Sequence, residues 1–417
     1  MRGTGRSGLA QALVAGLVVG VSAITVQANE GVFLTGYDTL QMQRANAGVA
    51  SPRNASWMVL NPAGLVDVEP RLDLNFYGVF TNAKLDPEGL IGNPFFGELQ
   101  GTDSILIPSM GMVYDLPVGK LGLGTYVLSG SKVDYGRSRN VVAALFLGNA
   151  DRRLEYQHFR APIAYAYEFD NGWAVGASLH PSYSRLRTDH LTLQILPPEN
   201  EFEWDTAWGM GFGLGVYKSW DRWSVGLGYI SRNWVQHFEK YEDFLEHPVD
   251  LPHIIQAGVS YKVRPDLEVS LDYKFLDWAD INNYGTDVRK SSFDWDSQHG
   301  VKLGVEWVHN EQFTFRAGYS YTNTPISEDH VFVSGLVPVN TEQHTTIDFT
   351  YSPNPGHESS LTYLHAWEKE LEDRGTGDIF SRFARGTTLR TQADGISLQY
   401  SYKFGAASTH PDADTAI

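Results

Sequence analysis

The 417-residue sequence contains no cysteine, which excludes a disulfide scaffold and any thiolate chemistry. Beyond the N-terminus no run of 18 or more apolar residues occurs, so a helical membrane protein is excluded as well. There is no excess of base: 32 Lys and Arg stand against 49 Asp and Glu, a formal charge of −17. Without a basic patch to neutralise phosphates, nucleic acid is not a partner. Catalytic signatures are also missing. The chain has no metal-ligand His pair on a helix, no Gly-rich phosphate loop leading into a helix and no nucleophile elbow. His158, His180, His253, His299, His309 and His365 are scattered over different strands or strand ends. No catalytic residue, cofactor or metal is expected; a Ser–His hydrolase assembled from distant strands is the enzymatic alternative.

What is present begins with Met1 to Ala28, which has Arg2 and Arg6, an apolar stretch from Leu9 to Ile24, and Val26-Gln27-Ala28 as a small-residue cleavage site. That pattern is a secretory signal peptide. Its removal takes two arginines and no acid, carrying the formal charge from −17 to −19. From about Leu72 to Phe404 the chain reads as fourteen alternating strands. Short links at Leu116–Lys120, Asp170–Gly172, Ser219–Arg222, Arg264–Asp266, Asn310–Gln312 and Pro353–Ser359 alternate with seven long connections of roughly 15–30 residues, against a usual median of about five. This sorting is expected of a transmembrane barrel whose two ends face different compartments. A soluble sandwich has no reason for it.

The strand faces agree. Ile396, Leu398, Tyr400, Tyr402 and Phe404 alternate with Ser397, Gln399, Ser401 and Lys403. Other strands set Glu268, Asp272, Lys274, Lys302, Glu306, Arg316 and Asp348 on the minority face, mixed in sign and able to pair across strands. Alternation alone does not say which face is inside. Lipid outside and a polar bore is the arrangement that suits the signal peptide and the loop sorting. The fold expected is therefore all-β, a 14-stranded antiparallel barrel over 70–404, with a short polar tail over 405–417.

One stretch does not alternate: Gly31 to Leu65, with four glycines, two prolines, and Leu, Met and Trp among polar residues. Its composition suits a compact irregular plug, or an ordinary N-terminal arm. It ends in Asn61-Pro62-Ala63-Gly64-Leu65 and has Arg44-Ala45-Asn46-Ala47-Gly48 upstream. Together these resemble the N-terminal hatch of the FadL/TodX (OmpP1) family of outer-membrane transporters for fatty acids and other hydrophobic compounds. Ile107-Pro108-Ser109-Met110, LGLGTYVLSGS, VSYKVRPDLEVSLDYKFLDW and VKLGVEWVHNEQFTFRAGYSY are similar to that family's strands along most of the chain.

The resemblance implies a hatch over 29–69 inside the barrel, and passive uptake of hydrophobic small molecules across a bacterial outer membrane. Two outer loops carry apolar material for capture: Leu191, Leu193, Ile195, Leu196, Phe202 and Trp204 in one, Phe238, Tyr241, Phe244 and Leu245 in the other. Packing of these loops on each other is the equal alternative. The resemblance further implies lateral exit through the wall, at a kink in the third strand for which Gly130 is the candidate, with a simple end of strand there as the equal alternative. It also implies a hatch gate near Phe33. A fatty-acid carboxylate calls for a basic group, and Lys302 or Arg316 could serve; neutral aromatics or alkanes need none. Expected partners are the ligand, outer-membrane lipid and lipopolysaccharide, with the protein a monomer. The competing readings are a polar-solute porin and a structural or adhesin-type barrel.

Overall fold

A computed structural model describes residues 30–89, 98–137, 151–189, 202–242, 245, 247–285, 293–377 and 379–405. Residues 1–28, read above as a signal peptide, and the tail beyond Gly405 lie outside them. Fourteen strands follow one another: β1 (Arg71–Asp86), β2 (Leu99–Asp115), β3 (Lys120–Arg137), β4 in two parts (Asp151–Arg160, Ile163–Glu168), β5 (Trp173–Asp189), β6 (Asp205–Ser219) and β7 in two parts (Trp223–Ile230, Trp234–Val235). They continue with β8 (Ile254–Arg264), β9 (Leu267–Leu276), β10 (Gln298–Val308), β11 (Phe313–Thr322), β12 (Gln343–Asn354), β13 (His357–Glu372) and β14 (Thr388–Lys403). Each pairs antiparallel with its neighbours, and β1 pairs with β14 from Arg71↔Lys403 to Asp86↔Thr388, which closes the barrel.

The two broken strands have local causes. β4 is interrupted at Ala161-Pro162, where proline has no N–H for the ladder. In β7, Asn233 instead pairs with Leu251 of the following loop.

The strand count and the six short turns agree with the sequence reading. The long connections are shorter than read, 12 to 21 residues. The reason lies at the outer strand ends, where β1, β13 and β14 continue their pairing through Lys84, Glu370 and Arg390, past an irregularity between Ala366 and Lys369 of β13. The charged side chains at these rungs end the hydrophobic alternation before the hydrogen bonds end.

Burial settles the orientation of the faces. On β14, Leu398 is 54 % exposed while Ser397 is fully buried. Residues 30–65 are almost entirely buried within the bore, forming α1 (Thr39–Met42), α2 (Trp57–Leu60) and a 3₁₀ turn (Pro62–Asp67). This segment buries apolar side chains such as Trp57, Met58 and Leu65. Its backbone donors are met by the wall: Asn75 Oδ1 accepts from Thr39 N at 2.9 Å, Asp73 Oδ2 from Ala55 N at 2.9 Å, and Asp272 Oδ2 from Gly48 N at 2.6 Å and Val49 N at 2.8 Å.

Candidate functional site: a wall gap, a plug strand and an apolar cavity

β2 and β3 share only the six rungs from Met110↔Thr125 to Asp115↔Lys120. Above them β2 continues for eleven residues with ladder partners on β1 alone among the described residues. Pro108 sits in that stretch and has no N–H to offer a neighbour. β3 leaves β2 through an irregularity between Val127 and Ser129 in its pairing with β4. That places the bend at Leu128, two residues before Gly130. Higher up, Lys132 Nζ and Asp103 Oδ1 meet at 3.0 Å and bridge the two strands again.

Between these margins the plug supplies β3 with a partner. Leu34 N donates to Leu128 O at 3.0 Å, Gly130 N donates to Val32 O at 2.9 Å, and Phe33 forms a bridge with Ser129. Leu34 packs in one apolar cluster with Ile107 of β2 and Val127 of β3, on the bore side of the unpaired stretch. Phe33 turns the other way, its ring 5.5 Å from that of Trp278, which in turn meets Tyr284 at 4.9 Å and Trp295 at 5.3 Å. Gly31 has φ +61, and a Cβ there would stand 2.4 Å from the Trp278 ring, so glycine is required.

Val32 faces a small cavity of about 50 Å³ that is partly open to solvent. Leu154, Leu186, Val249, Tyr284, Phe293 and Val337 give it an apolar lining, Ser131, Tyr156, Thr188 and Asn283 add neutral polar groups, and no charged side chain lines it among the described residues. Ser131 Oγ is buried without a hydrogen-bond partner among the described residues. A separate hollow nearer the rim, lined by Asp205, Glu239 and Glu242 among others, shares only Leu245 with the cavity. Its carboxylates suit it poorly to receive apolar surface.

Beneath the cavity the bore is ionic. Arg44, Arg53 and Arg316 face Glu268, Glu306 and Asp348, with Arg53 Nη2 at 2.9 Å from both Glu268 Oε1 and Glu306 Oε1 and Arg316 Nη1 at 3.0 Å from Asp348 Oδ1. Three cations meet three anions. Arg316 is thus engaged by the wall carboxylates Glu306 and Asp348. Lys302 is engaged too: with Lys274 it bonds the Glu30 carboxylate. Burial alone would raise that carboxyl, but the two ammonium groups outweigh it and hold the group down to about 2. A third buried cation differs. Arg160 is 1 % exposed, its Nε donates to His158 Nε2 at 3.2 Å, and neither Nη has a partner among the described residues.

The Asn61-Pro62-Ala63-Gly64 motif lies at the opposite end of the plug. Asn61 ends α2 and caps the 3₁₀ turn: its Oδ1 accepts from Ala63 N at 3.3 Å, and its Nδ2 donates to Val49 O and to Val216 O of the wall, both at 3.2 Å. The two loop groups separate in space. Phe202 and Trp204 lie under the guanidinium groups of Arg153, Arg185 and Arg187 at 4.0–4.5 Å. Phe238 is buried in the cluster that surrounds the cavity, and Leu245 lines the cavity itself. Leu191, Leu193, Ile195, Leu196 and Phe244 lie outside the described residues.

Sequence reasoning missed Glu30, Leu34, Arg160 and the aromatic floor of Trp278, Tyr284, Phe293 and Trp295. The floor had a signal, since four large aromatic residues within eighteen positions is dense for a loop. Arg160 had none, because a single sequence does not show which cation lacks an acid.

Known proteins place this geometry. The crystal structure of a Pseudomonas aeruginosa FadL homologue superposes with a TM-score of 0.67 at 14% identity, covering 90% of this chain and 100% of that one. The P. putida toluene transporter TodX gives 0.65 at 16%, covering 89% and 99%. The Ralstonia pickettii toluene transporter TbuX gives 0.61 at 15%, covering 89% and 99%. At such identities the likeness shows the fold. No curated protein sequence matches. The family described as "Outer membrane protein transport protein (OMPP1/FadL/TodX)" matches residues 20–404. A closed fourteen-stranded barrel and a match over nearly the whole chain lead to one conclusion: this protein belongs to the FadL/TodX family of outer-membrane transporters of hydrophobic compounds.

Proposed function

We propose that the chain, after loss of its signal peptide, takes up hydrophobic small molecules passively, with long-chain fatty acids, hydrocarbons and aromatics as the candidate classes. A molecule captured at the outer loops enters the apolar cavity and leaves sideways into the membrane between β2 and β3. The observation that carries this reading is the position of residues 32–34: Val32 lines the cavity, Phe33 bridges to Ser129 of β3, and Leu34 packs with Ile107 of β2 and Val127 of β3 beside the stretch where those strands share no rungs. Entry is driven by burial of apolar surface, about 25 cal/mol per Å². The plug-filled bore speaks against a polar-solute porin.

The test is a lock. Phe33 and Ser129 are bridge partners, and facing residues of an antiparallel pair lie ~4.5–5.5 Å apart at Cα, a span a disulfide can cover. The chain has no other cysteine, so Phe33→Cys with Ser129→Cys pairs cleanly. Uptake of a hydrophobic probe into proteoliposomes should stop on oxidation and return on reduction. Equal uptake in both states would refute exit past this segment, while no uptake by the wild type would refute transport.

A further inference from the structure

On β5 the outward column begins at Trp173, runs through Val175 and Leu179 to Tyr183, and then turns to Arg185 and Arg187. From Trp173 to Tyr183 the strand rises about 33 Å at ~3.3 Å per residue. At the tilt of such barrels this is about 25 Å along the membrane normal, the height of their apolar band. Phe159, Tyr183 and Trp208 end that band as a row of neighbouring rings on β4, β5 and β6, with centroids 6.3 and 5.1 Å apart. Arg185 and Arg187 therefore stand roughly 5 and 10 Å above the hydrocarbon, on the side that faces the lipid. Their guanidinium groups, with that of Arg153 on β4, lie over the rings of Phe202 and Trp204 just before β6. Stacking occupies a guanidinium's face and leaves its N–H edge for an anion. Arg185 Nε donates to the neutral Gln157 Oε1 at 2.6 Å, and Arg187 Nη2 to Glu155 Oε1 at 2.8 Å. Asp134 shares a rung with Arg153, while Glu203 is bonded by Lys240 at 2.6 Å. Among the described side chains three guanidinium groups thus face two carboxylates. The outer ends of β13 and β14 differ: Arg390 is taken by Glu370, and Asp394 meets His365 Nδ1 at 2.8 Å. The surplus of base is local to β4 and β5.

We propose that Arg185 and Arg187, with Arg153 at the edge, bind a phosphate of lipopolysaccharide, and that its acyl chains lie below against Tyr183, Trp208, Leu179 and Met210. The site is on the outside of the wall, away from the bore, and the inference goes beyond transport: it rests on the outward orientation of this face alone. The long connections put this end of the barrel outside, where the lipid of the outer leaflet is a phosphorylated glycolipid. Its phosphates lie directly above the hydrocarbon, at the level of the arginines, and accept charge-assisted bonds from guanidinium edges. Leu179 and Met210 are exposed on the same face and offer the chains an apolar track. Phe202 and Trp204 are positioning residues here, since they hold the three guanidinium planes side by side.

Native mass spectrometry of the full chain released from detergent reads the occupancy, with lipid A, fully dephosphorylated lipid A and phosphatidylglycerol as probes. The wild type should hold lipid A about tenfold more tightly than the dephosphorylated form, the scale of one hydrogen bond to a charged group. Arg185→Gln with Arg187→Gln should remove that preference, and Arg153→Gln should reduce it by a few fold. Arg185→Lys with Arg187→Lys, which keeps the charge and loses the planar fork, should fall between. Arg390→Gln, at the outer end of β14, should leave it unchanged. A wild type that binds both forms of lipid A equally overturns the proposal without recourse to any variant. A preference that survives Arg185→Gln with Arg187→Gln overturns it as well, leaving the arginines as packing for the loop. An equal loss in Arg390→Gln would replace the site by diffuse charge attraction. Phosphatidylglycerol held as tightly as lipid A, and lost in the same double variant, would make this a phospholipid site and end the assignment to glycolipid. None of these readouts involves cargo, so uptake stands or falls separately.

Discussion

Gly215 on β6 faces Asn61 so closely that a Cβ would stand 2.0 Å from Asn61 Oδ1, and a Cβ at Gly176 on β5 would stand 2.3 Å from Ala63 N. The wall is bare where the motif docks, and Asn61 uses both ends of its amide there. Gly215→Val should force the turn off the wall at about 1–3 kcal/mol, the usual cost of overpacking. Faster hydrogen exchange at Ala63 and Gly64 than in the wild type would register it; unchanged exchange would show that the contact is not needed. Asp38 offers a second test, in pH. It caps α1 through Gln41 N at 3.0 Å, and burial, opposed by that N–H and aided by nearby Asp73, pushes its carboxyl up to about 6. The raised value means that the folded plug holds this proton more tightly than the unfolded one does. Its contribution is full below the ordinary value near 3.8 and is lost as pH rises through 6. Glu30, held at about 2, changes nothing above pH 5. Opening of the first turn, read by hydrogen exchange corrected for intrinsic rates, should therefore become easier by about 1 kcal/mol between pH 5 and 7. A flat profile would mean that Asp38 is already ionised at pH 5. The Asn61 motif was legible in the sequence because it is local; the glycines that receive it, some 110–150 positions on, were not.

At the level of elements, fourteen strands could be read because each carries its own period of two, and the turns because Gly, Asn and Pro mark them. The gap between β2 and β3 could not. Alternation reports which face a residue takes, and is silent on which strand bonds which. Nothing in Leu128-Ser129-Gly130 distinguishes a bulge from a strand end, and the bend falls on Leu128, whose type gives no warning. Lys132 and Asp103, twenty-nine positions apart, lie on the register that the lower β2–β3 rungs set, and so face each other above the gap. Their ion pair closes the upper margin of the gap. Being partly exposed, it contributes about 0–1 kcal/mol, enough to bias an opening without sealing it. Lys132→Asp should set two carboxylates against each other and speed passage of a bulky hydrophobic probe by a few fold. Reversing both, as Asp103→Lys with Lys132→Asp, should restore the wild-type rate. If the double reversal stays as fast as the single one, the pair is not the margin.

The whole molecule is inverted relative to a soluble protein: leucine, isoleucine and aromatic residues ring its outside, while six charged groups in balance, Arg44, Arg53, Arg316, Glu268, Glu306 and Asp348, lie within. That inversion was readable only by joining three weak signals, the export signal, the sorted loops and the mixed charges on one face. The plug makes it stable, since a bore lined with these charges would otherwise need water or carry them unpaired. Neighbouring residues on one strand should then respond oppositely to the same change in environment. Ile396 is 45% exposed toward lipid, and Ser397 is buried against Thr39, with 2.6 Å between their hydroxyl oxygens. In a bilayer, Ile396→Arg should cost about 2–4 kcal/mol if it stands near the midplane, falling toward 0–1 near either interface. In detergent, where no ordered hydrocarbon slab surrounds the barrel, the penalty should shrink. Ser397→Ala should cost about the same in both media, because its partners belong to the plug and the wall. Urea unfolding of both variants in vesicles and in micelles separates the two. A penalty for Ile396→Arg that is as small in vesicles as that of a surface substitution in a soluble protein would mean that this face does not meet lipid, and the orientation on which the cavity, the gap and the plug all depend would fall with it.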